Sequence, residues 1–258
     1  MLIPRIIPCL LLQGAGLVKT IKFKNEKYIG DPVNAIKIFN EKGADELIFL
    51  DIMASIENRK PDFALISQVA AECFMPVCYG GGIKEIDDAK RIFNSGIEKI
   101  SLGSGAIEKP EFIRELVRIF GSQSIVACLD VKKNLLGNYE VVIHRARKKT
   151  GLEPWAAAKK MQDMGVGELL INSVDRDGTM SGYDLGLMQK ITKNISIPVI
   201  ACGGAGNLKH IAEVINEGGA SSGAAGSLFV FHSKRRGVLI NYPDREQIDS
   251  LFKRMEHA

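Results

Sequence analysis

The sequence lacks long apolar segments and an excess of charge of either sign. None of its apolar runs approaches the roughly 18 consecutive residues that a membrane-spanning helix needs. The 34 Lys and Arg residues nearly balance the 30 Asp and Glu residues, so the net charge is only +4. Neither sign forms a run of five or six residues, which a basic arm for nucleic acid would show. We therefore expect neither a membrane protein nor a nucleic-acid-binding protein.

Cysteine is scarce as well. The five cysteines are odd in number and show no CxxC spacing, so neither a disulfide framework nor a structural zinc site is indicated. The four histidines are scattered without the spacing of metal ligands. The apolar N-terminus lacks the basic region and the cleavage site of a signal peptide. We expect a cytoplasmic protein with reduced thiols, no metal and no cofactor.

Eight short apolar runs alternate with amphipathic stretches along the chain. Because the runs are apolar throughout, they are typical of strands buried on both faces of a parallel sheet. Prolines near the starts and glycines near the ends of the intervening stretches indicate helices. This alternation favours an α/β fold, a (βα)8 TIM barrel, over a doubly wound open sheet. The predicted strands are 6–12, 47–51, 76–79, 99–103, 124–130, 168–173, 197–202 and 221–226.

Three sequence matches indicate that the two halves of the chain are related. IIPCLL in the first predicted strand resembles IVACLD in the fifth, and YGGGI resembles CGGAG 123 positions later. Ser104 and Ser227 are separated by the same offset. Two half-barrels, at about residues 1–122 and 123–258, explain these matches. We therefore expect a single domain, over residues 1–258, that is built from two similar halves.

Carboxylates end or follow three of the predicted strands. Asp51 ends the second strand, Asp130 ends the fifth, and Asp177 follows the sixth in the motif SVDRDGTMSGYD. TIM-barrel active sites lie at the carboxyl ends of the strands, where a poorly solvated carboxylate can act as a general acid or base. Capping of the following loop is the structural alternative for each of them. The basic segment 12–30, which contains Lys19, could close over an anionic ligand as a lid.

Small residues end the third, fourth, seventh and eighth strands. Where side chains are absent, backbone N–H groups can converge on a phosphate, and the site after strands seven and eight is a common one in barrels. The repeat implies a second site, so the ligand would be a small molecule with a phosphate at each end. Turn-forming glycines are the alternative. The candidate phosphate-binding residues are Gly81, Gly82, Gly103, Ser104, Gly178, Gly203, Gly204, Gly226 and Ser227.

The opposite end of the predicted barrel carries a second pattern, of charged residues that directly precede apolar strands. A solvated rim is the ordinary explanation for isolated charges of this kind. Two cations and two anions could instead form a closed ring that plugs or gates the axis. The four residues are Arg5, Glu46, Lys99 and Glu168.

Together these motifs resemble the HisF family, the cyclase subunit of imidazole glycerol phosphate synthase. The similarity extends over nearly the whole chain, and ELIFLDI, YGGGI, SVDRDGTMSGYD and ACGGAG are its most specific parts. The resemblance implies a barrel that binds a bisphosphate ribonucleotide, receives ammonia from a HisH-like glutaminase docked at its bottom and closes an imidazole ring at its top. It also implies residue roles, with the two glycine and serine clusters as phosphate sites. The other roles are Arg5, Glu46, Lys99 and Glu168 as an ammonia gate, Asp130 as a catalytic carboxylate, and Lys19, Asp51 and Asp177 as further active-site residues.

Three positions depart from the family pattern. Leu11 stands where the family has a second catalytic Asp, Gly103 where it usually has Asn, and Asn172 where it usually has Thr. A leucine cannot carry a proton, and loss of a general acid or base typically costs about 10²–10⁴ in rate. Leu11 therefore argues against ring closure by this chain.

Two segments, PCLLLQGAGLVKTIKFKN and SLFVFHSKRRGVLINYP, resemble a branch of HisF-like paralogues from surface-polysaccharide loci. That branch is associated with a HisH-like glutaminase and an N-acetyl-sugar amidotransferase. The function it implies is ammonia supply for converting an acetamido group to an acetamidino group in lipopolysaccharide or surface-glycan biosynthesis. The alternatives are an authentic cyclase of histidine biosynthesis, which uses Asp130 with a substitute acid, and a non-catalytic barrel that activates the glutaminase and senses a phosphorylated ligand.

Overall fold

The computed structural model describes residues 4–233 and 235–253. The strands are β1 (Arg5–Gln13), β2 (Gly16–Ile21), β3 (Lys24–Gly30), β4 (Leu47–Asp51), β5 (Val77–Gly80), β6 (Lys99–Leu102), β7 (Ile125–Lys133), β8 (Tyr139–Ile143), β9 (Lys148–Lys149), β10 (Glu168–Ser173), β11 (Val199–Cys202), β12 (Ser222–Ala225), β13 (Phe231–His232) and β14 (Gly237–Val238). The helices are α1 (Pro32–Glu41), α2 (Phe63–Glu72), α3 (Ile86–Asn94), α4 (Ser104–Glu108), α5 (Pro110–Phe120), α6 (Pro154–Asp163), α7 (Leu185–Thr192), α8 (Leu208–Asn216), α9 (Ser227–Val230) and α10 (Arg245–Lys253).

Eight of these strands close into a parallel barrel, as the sequence predicted. The order around the barrel is β1, β4, β5, β6, β7, β10, β11 and β12, and β12 pairs with β1 to close the ring. The predicted strands 47–51 and 168–173 agree with β4 and β10, and the other boundaries move by up to three residues. The eighth strand, whose sequence SGAA has little strand propensity, is present as β12.

The helices begin where the sequence supplies the appropriate chemistry. Asp31, Asp62, Asp184 and Asn207 each accept a hydrogen bond from a backbone N–H in the first turn of the following helix. Such caps satisfy N–H groups that have no partner inside the helix. Proline occupies the first turn of α1, α5 and α6, where its missing N–H costs nothing.

Several elements at the carboxyl ends of the barrel strands were not predicted. The basic segment 12–30 is largely an antiparallel hairpin, in which β2 pairs with both β1 and β3. A second hairpin, β7–β8, extends the fifth barrel strand and adds β9. The short helices α4 and α9 follow the fourth and eighth barrel strands. Hairpins and short helices thus occur at equivalent places in the two halves of the chain.

The core has two parts, because each barrel strand faces helices on one side and the barrel axis on the other. The larger part packs between the strands and the surrounding helices. The smaller part fills the barrel itself and consists of Ile7, Cys9, Ile48, Cys78, Val126, Leu170, Ile200 and Ala224. Among the described residues, no helix is long and apolar enough to cross a bilayer.

Candidate active site and axial ring

A cavity of about 140 Å³ opens at the carboxyl ends of the first six barrel strands. Asp130 and Asn172 lie on its wall beside Leu11. The first small-residue cluster lines the same cavity: Gly81, Gly82, Gly103 and Ser104. The sequence therefore brings a carboxylate and one candidate phosphate site together, with an aliphatic side chain next to them.

Asp130 is the carboxylate in this cavity that can act on a ligand. Burial raises its pKa to about 7, although Asn172 donates a hydrogen bond of 3.1 Å to its Oδ1 and acts in the opposite direction. Because the carboxylate is surrounded by protein and not by water, its charged form is poorly stabilised and the proton is held to a higher pH. A group that titrates near neutral pH can both take up and release a proton.

Asp51 lines the same cavity but is already bound within the protein. Arg59 contacts both of its carboxylate oxygens, at 2.7 and 2.8 Å. The backbone N–H groups of Met53 and Ala54 donate to Oδ1 at 3.1 and 3.0 Å. These contacts are those of a carboxylate that holds the loop after β4, which is the structural alternative stated for this residue.

Lys19 and Asp177 form a buried ion pair at a second, smaller cavity. Lys19 Nζ lies 2.7 Å from Asp177 Oδ1, and the Thr20 hydroxyl donates to Asp177 Oδ2 at 2.7 Å. Lys19 is therefore attached to the barrel and does not extend over the site as a mobile cation would. The second small-residue cluster lines this cavity: Gly178, Gly203, Gly204, Gly226 and Ser227. Leu11 and Asn172 line both cavities, so the two are neighbours.

The glycines in these clusters differ in whether the surrounding atoms leave room for a side chain. A Cβ at Gly81 would lie 2.4 Å from the Asp51 carbonyl oxygen, and φ there is +118°. A Cβ at Gly204 would lie 2.1 Å from the Gly182 carbonyl oxygen. At Gly103, by contrast, the nearest atom is 3.9 Å away. Close packing thus explains why Gly81 and Gly204 are glycines, whereas a side chain would fit at Gly103.

The two serines of these clusters, Ser104 and Ser227, differ in their hydrogen bonding. Ser104 Oγ accepts a hydrogen bond of 2.9 Å from the backbone N–H of His144. Ser227 Oγ is buried and has no hydrogen-bond partner among the described residues. An unpartnered buried hydroxyl beside glycine N–H groups suits an anion, because the anion would satisfy it.

Arg145 is a site residue that the sequence analysis missed. It lines the first cavity, donates to the Phe23 carbonyl oxygen at 2.9 Å and pairs with Glu26 of the β2–β3 hairpin. His144, Arg145 and Ala146 all have φ between +53° and +60°, a conformation that is unfavourable for residues other than glycine. The run RARKK after β8 was the available signal, since five neighbouring positions carry four cations.

The opposite end of the barrel holds a closed ring of four charges, which we call the axial ring. Arg5 pairs with Glu46 and with Glu168, and Lys99 Nζ contacts the same two carboxylates at 2.9 and 3.0 Å. Burial lowers the pKa of Lys99, but the two carboxylates outweigh that effect and raise it overall. Lys99 therefore keeps its positive charge at neutral pH, and the four paired side chains close the barrel axis at this end.

Between the axial ring and the cavities the barrel interior is uncharged. Burial raises the pKa of Cys78 and of Cys128, so these thiols remain protonated. The hydroxyls of Ser101 and Ser222 are buried without a hydrogen-bond partner in the described part of the chain. No group of three His, Cys, Asp or Glu side chains that could hold a metal ion occurs among residues 4–233 and 235–253.

Comparison with known proteins identifies the family. The model of a family described as "Histidine biosynthesis protein" matches residues 5–235. The chain is 51% identical to the "Putative imidazole glycerol phosphate synthase subunit HisF" of Leptospira interrogans over 253 residues, which are 98% of this chain and all of the relative. It is 49% identical to a protein of Pseudomonas aeruginosa with the same name but designated hisF2, over 95% of this chain and 98% of that one. The hisF3 protein of Vibrio vulnificus is 48% identical over 94% of both chains.

The chain belongs to the HisF family. The three positions that the sequence analysis predicts to depart from the HisF pattern all line the first cavity. Leu11 pairs in register with Leu50 and Val18 and is only partly buried. Asn172 supplies the hydrogen bond to Asp130, and Gly103 leaves an open stretch of cavity wall. At these three positions the first cavity is lined by an aliphatic side chain, by an amide and by a residue without a side chain.

Proposed function

We propose that this protein is a HisF-type subunit that receives ammonia from a HisH-like glutaminase and delivers it for amidation of an N-acetyl sugar. The observation that carries the proposal is the contrast between the two ends of the barrel. All four members of the axial ring are present and paired. In the first cavity, Leu11 occupies the position that the repeat matches to Asp130.

The uncharged interior supports passage of ammonia through the barrel. A charged ammonium ion would lose its hydration there without a counterion, whereas neutral ammonia needs only hydrogen-bond partners. The unpartnered hydroxyls of Ser101 and Ser222 could supply them. The axial ring closes this route, so its ion pairs must separate when ammonia enters from the glutaminase side.

One observation favours a second function, ring closure of a bisphosphate ribonucleotide. Asp130 has a pKa of about 7 and lines the first cavity, and its hydrogen-bond partner Asn172 lines both cavities. A single acid of that pKa could serve as base and then as acid. Lys19 and Asp177 are paired with each other and Asp51 is held by Arg59, so the second proton carrier would have to be released from a contact.

The deciding experiment uses purified protein with saturating ammonium salt and no glutaminase. Consumption of the bisphosphate substrate and formation of imidazole glycerol phosphate are followed together. We expect no turnover, and glutamine-dependent sugar amidation once the glutaminase and the sugar amidotransferase are added. Turnover at ordinary enzyme rates, roughly 1 to 10³ per second, would establish the cyclase instead. Absence of both reactions, with a phosphorylated ligand altering glutaminase activity, would indicate a sensor.

A further inference from the structure

Three cationic segments meet at the openings of the two cavities. In the turn between β2 and β3, Phe23 lines both cavities, and the lysine on either side of it is exposed. The segment 144–149, after β8, supplies Arg145 to the wall of the first cavity. The turn between β13 and β14 supplies Arg236, whose side chain donates at 2.8 Å to the carbonyl oxygen of Gly178, a residue of the second cavity.

Hydrogen bonds join the three segments into one surface. Arg145 donates to the Phe23 carbonyl oxygen at 2.9 Å, and Lys27 Nζ donates to the Arg236 carbonyl oxygen at 2.7 Å. These contacts connect residues 122 and 209 positions apart in the sequence. We call the surface the cationic rim. Its nine cations are Lys22, Lys24, Lys27, Arg145, Arg147, Lys148, Lys149, Arg235 and Arg236.

Most of the charge on the cationic rim is unpaired. Within the described part of the chain, two acids form ion pairs with it, Glu26 with Arg145 and Glu108 with Lys148. The other seven cations have no carboxylate partner among residues 4–233 and 235–253. The rim and its two partners contain nine of the 34 Lys and Arg residues but two of the 30 Asp and Glu residues. The rest of the chain is therefore slightly acidic, and the excess positive charge is concentrated at the cavity openings.

The acids inside the cavities do not cancel this charge. Asp51 is paired with Arg59, and Asp177 is paired with Lys19. Asp130, with a pKa of about 7, is only partly ionised at neutral pH. The remaining acids that the structure describes, in the surrounding loops and at the helix starts, line neither cavity. An anion that approaches the openings therefore meets a positive potential.

We propose that the cationic rim captures small ligands that carry two or more phosphate groups and guides them into the two cavities. Charge of one sign around a cleft with low-dielectric walls raises the local concentration of an oppositely charged ligand, and its association rate rises about 10–10³-fold. Because the openings lie inside the rim, a captured anion arrives beside the glycine and serine clusters. Each cation supplies only part of the field, so removal of a single one changes the association rate little.

This inference goes beyond the proposed function. It requires that a phosphorylated ligand binds in the cavities, and it does not depend on the route of ammonia or on whether the ligand is converted. The cations outside the cavity walls act before binding, so they need not contact the bound ligand. Their removal should accordingly slow association and leave dissociation nearly unchanged.

The test follows binding of a fluorescently labelled bisphosphate ribonucleotide by stopped-flow mixing. The rim variant Lys24→Gln/Lys149→Gln/Arg235→Gln removes one exposed cation from each segment. At about 0.01 M salt, where the Debye length is about 30 Å, we expect its association rate constant to be roughly tenfold below that of the wild type. The dissociation rate constant should stay within about twofold. At about 1 M salt, where the Debye length is about 3 Å, the two proteins should associate at nearly the same rate.

A matched control removes three cations elsewhere. The variant Lys42→Gln/Lys90→Gln/Lys193→Gln changes exposed lysines within or at the ends of surrounding helices, and none of them lines either cavity. It should bind the bisphosphate at the wild-type rate. The labelled nucleoside without phosphates should associate equally fast with all three proteins, and melting temperatures show whether both variants are folded.

The other outcomes overturn the proposal. An unchanged association rate of the rim variant at low salt does so, and so does a change confined to dissociation, which would make these cations direct ligand contacts. A wild-type protein that binds no bisphosphate leaves the rim without a ligand to guide. Tighter binding of a single-stranded oligonucleotide than of the bisphosphate, lost in the rim variant, would assign the rim to nucleic acid. Amidated product per glutamine hydrolysed is measured in parallel, and its absence with capture intact would remove the proposed function alone.

Discussion

Leu11 and Asp130 line one cavity from positions that the internal repeat makes equivalent. One half of the barrel presents a group that titrates near neutral pH, and the other half presents a side chain that cannot titrate. Reactions that move two protons between different atoms of a ligand usually employ two positioned groups. This cavity is therefore better suited to holding a ligand than to carrying out both proton transfers.

Replacing Leu11 by aspartate should place a carboxylate at the position that the repeat matches to Asp130. We expect Leu11→Asp to produce measurable ring closure with ammonium salt, about 10²-fold or more above the wild type, because a second proton carrier then faces the ligand. Leu11→Asn is the control, since it has nearly the same size and polarity but no proton to exchange. Equal rates for the two variants would show that Leu11 is not what limits cyclisation.

Replacing Asp130 by asparagine should change how stability depends on pH. The folded-state pKa of about 7 lies above the usual value of about 3.9, so folding binds a proton between these limits and stability falls as pH rises through them. Asp130→Asn removes this loss. We expect its free energy of unfolding relative to wild type to rise between about pH 4 and 7 and then level off, at a gain on the order of 4 kcal/mol, since each pKa unit is worth about 1.4 kcal/mol. A difference independent of pH would contradict the raised pKa.

The sequence predicted the barrel because buried parallel strands leave a direct pattern of continuous apolar runs. It also predicted which residues meet at each end, since strand ends share a rim. It did not predict the hairpins β2–β3 and β8–β9, because β3 and β9 are largely exposed and contain lysines, so they lack the apolar run of a barrel strand. Nor could it show that Asp51 binds Arg59 or that Lys19 binds Asp177, because these pairs depend on how loops fold back in three dimensions.

Gly81 and Gly103 offer a matched pair of substitutions to alanine. Gly81→Ala should destabilise the fold by several kcal/mol, because its Cβ would lie 2.4 Å from a backbone oxygen at a φ of +118°. Gly103→Ala should change stability by less than about 0.5 kcal/mol, since the nearest atom would be 3.9 Å away. Chemical denaturation of both variants measures this difference. Comparable losses of folding stability at the two positions would mean that the cavity wall leaves no room for a side chain at Gly103.

Arg145 should contribute directly to binding a phosphorylated ligand in the first cavity. Its side chain is 13% exposed, lines the cavity and pairs with the more accessible Glu26, so a phosphate could replace that carboxylate. A hydrogen bond to a charged group is worth about 1.5–3 kcal/mol, and we expect Arg145→Ala to weaken binding of a bisphosphate nucleotide by roughly tenfold or more. Arg147→Ala, two residues along the same turn and exposed, is the control. Calorimetry showing equal affinities for both variants would exclude Arg145 from the site.

Removing one cation from the axial ring should separate glutamine hydrolysis from ammonia use. Lys99→Leu leaves the buried Glu46 and Glu168 with Arg5 as their partner in the ring, so the ring no longer closes symmetrically and ammonia is expected to escape or stall. We expect less amidated product per glutamine hydrolysed, while amidation driven by ammonium salt stays at the wild-type level because that ammonia does not cross the ring. Lys90→Leu, which removes an exposed lysine from α3, should alter neither ratio. Unimpaired glutamine-driven amidation in Lys99→Leu would remove the axial ring from the path of ammonia.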